Sequence, residues 1–148
     1  MGERVFNTPF ELSLHLLILL DVSDVGLTLD RMLAYDFMTV YSDCFGIVEE
    51  SLNGDNIFLF SEISSRRNLI KKAVKTLVLD RLIRVENDKI GFLYFVSKDG
   101  RKMSEEFKSE YASQYRTIAR SVIKKYSDLS DVQLIDVINK HSIRFLGR

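Results

Sequence analysis

The stretch SSRRNLIKKAVKTLVLDRL at residues 64–82, followed by IRVENDKIGFLYFV at residues 83–96, decides how this chain is read. Ile63 just before the first part, and within it Leu69, Ile70, Ala73, Val74, Leu77, Val78 and Leu82, recur at helical spacing and line one side. Arg66, Arg67, Lys71, Lys72 and Lys75 line the other side. Ser61, Ser64 and Ser65 supply hydroxyls of the kind that open helices. The second part changes period. Ile83-Arg84-Val85-Glu86, the polar pair Asn87-Asp88 and the apolar run at residues 90–96 read as a β-hairpin turning at Asn87-Asp88.

Working upstream, Thr8 before Pro9 and Glu11 reads as an N-cap with proline in the first helical position. The first helix then carries Phe10, Leu14, Leu17 and Ile18 and ends near Asp21. Thr28 or Asp30 caps a second helix whose stripe is Leu29, Leu33, Phe37, Val40 and Cys44, until Gly46 stops it. Asn53-Gly54-Asp55-Asn56, flanked by Ile47-Val48 and the apolar residues 57–60, reads as a hairpin or structured loop. Downstream, Ser97-Lys98-Asp99-Gly100 leads into one long helix with the stripe Phe107, Tyr111, Tyr115, Ile118, Val122 and Tyr126. Ser130 caps a last helix through Leu134, Ile138, His141 and Phe145, closed by Gly147. The expected fold class is therefore mainly α: a winged-helix-like domain with a β-hairpin wing and additional C-terminal helices. A single domain over residues 1–148 is expected, divided into N-terminal helices and a turn-rich segment (1–60), a helix with its hairpin (61–97) and C-terminal helices (98–148).

Composition narrows the class. Hydrophobic residues make up 46% and charged ones 28%, an ordinary globular composition that argues against a disordered tail and a coiled-coil rod. Residues 10–20 are the most apolar stretch, but they are too few for a membrane span and contain Glu11 and His15. No basic leader and small-residue cleavage site frame them, so a cytoplasmic protein is expected. The single cysteine, Cys44, excludes an internal disulfide and fits a reducing compartment. A net charge of zero conceals an asymmetry: residues 1–65 carry Arg4 and Arg31 against eleven acidic side chains, and residues 66–148 carry nineteen basic against ten acidic. Either the two halves attract each other within the chain, or they form differently charged faces for partners or further copies.

Chemistry that would mark an enzyme is thin. Asp36 stands at the edge of an apolar stripe beside Leu29, Met32 and Leu33, where an unpaired buried charge would be costly, so it must have a partner or be exposed. No second carboxylate or histidine stands at helical spacing to it, which favours a structural hydrogen bond over a general acid. His15 and His141 are isolated and read as satisfied or exposed imidazoles, and Cys44 reads as a small core residue. Neither a phosphate-loop nor a dinucleotide fingerprint occurs, and no catalytic residue, cofactor site or metal site is expected.

The candidate binding surface is the cationic side of the third helix, Arg66, Arg67, Lys71, Lys72 and Lys75, with Arg84 and Lys89 of the hairpin extending it. It reads as a surface for a phosphate backbone, for an acidic protein partner, or as a solvated face. Lysines on one face attract phosphates without reading bases. Tyr111, Tyr115 and Tyr126 are core residues or, where the core does not cover them, a protein interface.

The chain resembles the middle component of ABC-three-component systems of bacteria. The resemblance lies in Val5-Phe6-Asn7-Thr8-Pro9-Phe10-Glu11, in Leu33-Ala34-Tyr35-Asp36-Phe37-Met38-Thr39-Val40-Tyr41, and in Asn53-Gly54-Asp55 with Phe60-Ser61-Glu62. It continues through Arg66-Arg67, Leu77-Val78, Ser109-Glu110-Tyr111-Ala112 and Ser142-Ile143-Arg144, and so spans nearly the whole chain. None of these pieces is a catalytic signature; the ordered set carries the resemblance. It implies a non-catalytic adaptor encoded between a variable effector and an ABC- or SMC-like ATPase, in antiphage or antiplasmid modules similar to Lamassu-type systems. Nucleotide hydrolysis and DNA engagement would fall to the ATPase. The alternative is a winged-helix transcriptional regulator whose residues 66–82 enter a major groove. Direct DNA contact by the adaptor and self-association stay open at this stage.

Overall fold

The computed structural model describes residues 9–45, 63–89 and 91–146. The Thr8 cap, the turn-rich residues 46–62 and the closing Gly147 lie outside the described residues. The described residues form six α-helices and one hairpin: α1 (Pro9–Val22), α2 (Leu29–Val40), α3 (Ile63–Leu79), β1 (Ile83–Asp88), β2 (Gly91–Val96), α4 (Lys98–Glu106), α5 (Glu110–Tyr126) and α6 (Asp131–Leu146). A 3-10 turn (Ser42–Phe45) follows α2. The fold is mainly helical and winged-helix-like.

Helix α1 is apolar on nearly every side, which suits a helix enclosed by others. Leu12 and Leu16 to Leu20 are all buried, and α1 touches α2, α3, α4 and α5. Its first turn is the exception: Phe10 projects into solvent. Helix α2 starts where Thr28 accepts a hydrogen bond from the Arg31 N–H, a side-chain cap at an otherwise open terminus. From Met32 to Val40 every residue of α2 is buried, so α1 and α2 form the centre of the core. The same hydrophobic cluster takes in Ile70, Ala73, Val74 and Leu77 of α3, Tyr115 and Val122 of α5, and Leu134 and Ile138 of α6.

The C-terminus of α3 closes with paired reversed hydrogen bonds, Leu82 N–H to Leu77 O (2.9 Å) and Arg81 N–H to Val78 O (3.0 Å). This closure needs a left-handed residue, and Arg81 supplies it at φ 61°. The chain then enters β1, which pairs antiparallel with β2 from Ile83↔Val96 to Asp88↔Gly91. Asn87 and Asp88, expected in the turn, are ladder residues; the strands continue past them because Gly91, at φ 119°, provides the tight return. Between α1 and α2, Leu27 bridges β2, giving and receiving backbone hydrogen bonds with Tyr94 at 3.0 and 2.9 Å. That bridge pins the hairpin to the helices. Gly26 beside it has no room for a Cβ, which would meet the Phe95 ring.

The single long C-terminal helix expected from the aromatic stripe is two helices. After α4 the Phe107 N–H turns back to the Ser104 carbonyl (3.1 Å), and the Ser109 hydroxyl caps a new start by accepting from the Ala112 N–H (3.0 Å). Arg116 of α5 donates to the same Ser104 carbonyl at 2.7 Å and holds the corner. Helical spacing survived the break because residues on both sides face the same core. Gly100 lets α4 begin hard against the end of α3: a Cβ there would stand 1.9 Å from the Leu82 carbonyl oxygen. Ser130 opens α6 with a reciprocal cap, Gln133 N–H to its hydroxyl and its own N–H to the Gln133 amide oxygen.

Candidate functional site

Among the described residues, Asp36 gathers side chains from three other helices. It is fully buried and accepts from three other helices: His15 Nδ1 of α1 at 2.9 Å, Arg66 Nε of α3 at 2.7 Å and the Tyr115 hydroxyl of α5 at 2.7 Å. Because an ionised carboxylate only accepts, the His15 proton sits on Nδ1, leaving Nε2 facing the Tyr111 hydroxyl at 3.2 Å. Both tyrosine rings stack on the imidazole, Tyr115 at 4.3 Å and Tyr111 at 5.8 Å between centroids. Burial alone would push the Asp36 carboxyl up; the Arg66 guanidinium, His15 and the hydrogen bonds outweigh it and hold it well below the usual carboxylate range. Burial, followed by the Asp36 charge, pushes the Tyr115 hydroxyl well above its usual value.

This node joins α1, α2, α3 and α5. Asp36, His15, Arg66 and Tyr115 are each at most 1% exposed. A similar function on a smaller scale belongs to Arg31, which donates to Asp131 (2.8 Å), the Tyr35 hydroxyl (2.8 Å) and the Leu129 carbonyl, tying the start of α6 to α2. Asp21, at the end of α1, receives Ser104 (2.9 Å) and Arg116 (3.1 Å). Several acids of the first half are thus paired with bases of the second half inside the chain.

The cationic side of α3 is consequently smaller than the sequence suggests. Arg66 is not on it: with Asp36 on the facing helix, its guanidinium turns inward. Arg67 stays half-exposed and pairs with Asp30 of α2. Arg84 lies on the other face of the hairpin, paired with Glu86 and 4.7 Å over the Phe95 ring, since strand residues alternate and its neighbour Val85 faces α3. Lys71, Lys72 and Lys75 are exposed and, among the described residues, form no ion pair. Lys89 is exposed at the hairpin tip.

The tyrosines also move inward. Tyr115 is fully buried and Tyr126 nearly so, and both belong to the core, while Tyr111 is partly buried and packs against the core beside His15. Filling the core takes precedence because each ring removes a large apolar area from water.

What remains open on either side of α3 is apolar. One groove, of about 410 Å³, lies between α3 and the hairpin; Val78, Leu79, Val85, Phe92 and Tyr94 line it, with Lys71 and Lys75 along its helical edge. A second, of about 600 Å³, lies between α3, α1 and α4; Phe10, Leu14, Met103 and Phe107 line it, with Asp80 and Glu106 at its edge. Sequence reading missed both. A signal was present: Leu79 continues the row Lys71, Lys75 at four-residue spacing, off the core stripe, and the run at residues 91–96 is apolar on both faces of its strand. Among the described residues no cluster of metal-ligating side chains occurs, and no helix is long and apolar enough to cross a membrane.

No curated protein and no solved structure matches the chain. A family model does, over residues 5–148, and its description is ABC-three component (ABC-3C) system Middle Component 2. Since the match covers almost the full sequence, with the buried node and both grooves inside it, the chain belongs to the family of ABC-three component system middle components.

Proposed function

We propose that the protein is a non-catalytic adaptor that holds an ABC- or SMC-like ATPase and an effector together in an antiphage module of the cytoplasm. Membership in a middle-component family supports a role within a multi-component system. One structural observation carries the bridging: α3 separates two apolar grooves whose edges bear opposite charge, lysine on one side and carboxylate on the other. An adaptor requires two surfaces that do not compete for one partner, and opposite charges keep the partners apart by electrostatic preference. Asp36, His15, Arg66 and Tyr115 are engaged with one another inside the core, which supports a structural role for them and a binding role for the surface.

A DNA-binding regulator is the second reading, favoured by the helix-plus-hairpin order and by Lys71, Lys72 and Lys75. Against it stands the makeup of the surface. Base readout uses arginine, asparagine or glutamine aimed into a groove, and here Arg66 is inside the core while Leu79 and Phe92 occupy the open side. Co-expression with the genomic neighbours followed by affinity purification at low salt tests the bridging: both neighbours should co-purify, and recovery of the free protein alone would overturn it. A duplex titration against salt tests the regulator, which requires sequence preference and a slope that shrinks on Lys71→Ala.

A further inference from the structure

We infer that the groove between α3 and the hairpin docks an acidic amphipathic helix of a partner protein. The inference rests on the adaptor reading and names the chemistry that one of its two surfaces recognises. Three large apolar side chains converge on this groove from different elements: Leu79 of α3 (72% exposed), Val85 of β1 (41%) and Phe92 of β2 (59%). Val85 and Phe92 share one face of the hairpin, the face turned to α3, because they stand opposite Tyr94 and Asn87 in the ladder. Exposed apolar side chains gathered in one place, in contrast to scattered ones, mark a surface that meets another molecule.

The shape and the charge together choose the occupant. A trough walled by a helix on one side and a strand pair on the other fits the apolar stripe of a helix, inserted at three- and four-residue spacing. Lys71 and Lys75 stand one turn apart along the wall formed by α3, exposed and without an ion pair among the described residues, and the half-exposed Arg67 stands one turn further up. A helix with leucines in the trough and carboxylates flanking them would satisfy both. Nucleic acid fits worse, since its phosphates would lie against Leu79 and Phe92 and most of the side chains lining the trough are apolar.

The test uses the full chain and two synthetic helical peptides, one with leucines along one face flanked by glutamates, the other with every glutamate replaced by lysine. Fluorescence anisotropy should show the glutamate peptide binding about tenfold more tightly or better. Leu79→Ser with Phe92→Ser should weaken it by about tenfold or more, and Lys71→Glu with Lys75→Glu should reverse the peptide preference. Equal affinity for the two peptides, or insensitivity to both variants, would overturn the inference. So would a DNA duplex that outcompetes the glutamate peptide and is lost on Lys71→Glu. Purification with the neighbours separates this inference from bridging. If the wild type holds both neighbours and the Leu79/Phe92 variant still does, the groove proposal falls and bridging stands; if the wild type holds neither but the glutamate peptide binds as described, bridging falls and the groove proposal stands.

Discussion

Arg66 and Lys71 stand on the same helix, and the fold treats them in opposite ways. Arg66 is enclosed against Asp36, His15 and Tyr115 at the meeting point of four helices, whereas Lys71 lies in solvent beside an apolar groove. The difference does not come from the cations. It comes from what the facing elements offer: α2 presents a buried carboxylate to the first turn of α3, and the hairpin presents Val85 and Phe92 further along. A positive side chain in a helix is therefore a structural part or a binding group depending on its neighbour, and these two ends should respond differently to mutation.

The largest effect is expected at the enclosed end. Arg66→Met leaves Asp36 charged and buried without its main counter-charge, and Asp36→Asn does the converse; each should cost about 3–5 kcal/mol of unfolding free energy, measured by denaturant titration. A loss below about 1 kcal/mol, the range of exposed pairs, would show that the node does not hold the helices together. Acid should act on the same group. The Asp36 carboxyl titrates lower in the folded than in the unfolded protein, so its contribution is fully present above the unfolded value of about 4 and is lost as pH falls below it. Unfolding midpoints should decline below about pH 4, and Asp36→Asn should flatten that decline.

Next comes the support beneath the hairpin. Gly100→Ala forces a methyl onto the Leu82 carbonyl, which cannot yield without moving the backbone, and should cost about 1–3 kcal/mol. Arg81→Gly acts in the other direction: it relieves the left-handed arginine that ends α3 and should raise stability by about 1 kcal/mol, read as a rise in thermal midpoint. The smallest effect belongs to the exposed end. Leu79→Ser and Lys71→Glu should change stability by no more than about 0.5 kcal/mol, as ordinary surface substitutions do. A larger loss at Leu79 would mean that the groove is part of the core, and the contrast between the two ends would weaken.

Much of the architecture was readable from residue order. Periodicity gave α3, α6 and α2, though α2 ends at Val40 and a 3-10 turn takes over before the expected Cys44; Thr28, one of two candidates with Asp30, and Ser130 marked the starts of α2 and α6 because capping is a local interaction between residues three apart. The demand that Asp36 be paired was also readable, since a carboxylate on an apolar stripe has few alternatives. Its partners were not. His15, Arg66 and Tyr115 lie far from it in sequence; only the position of Arg66, three after Ile63 and four before Ile70, put it on the core stripe and not among the exposed cations where it was expected. The split of the long C-terminal helix escaped because an aromatic stripe continues across the break, and the turn of the hairpin shifted because Gly91, not the polar pair before it, supplies the left-handed residue.

By itself the sequence determined the helical class, the helix–hairpin order, the lack of nucleotide and metal fingerprints and the family to which the chain belongs. These depend on local periods, caps and an ordered set of residues, all of which act over a few positions. Only the tertiary structure decided which charges face inward, which tyrosines are core and where apolar surface stays uncovered. Those outcomes depend on which elements meet. An electrostatic or hydrophobic group is satisfied by whatever lies within a few ångströms in space, and no local pattern records that distance.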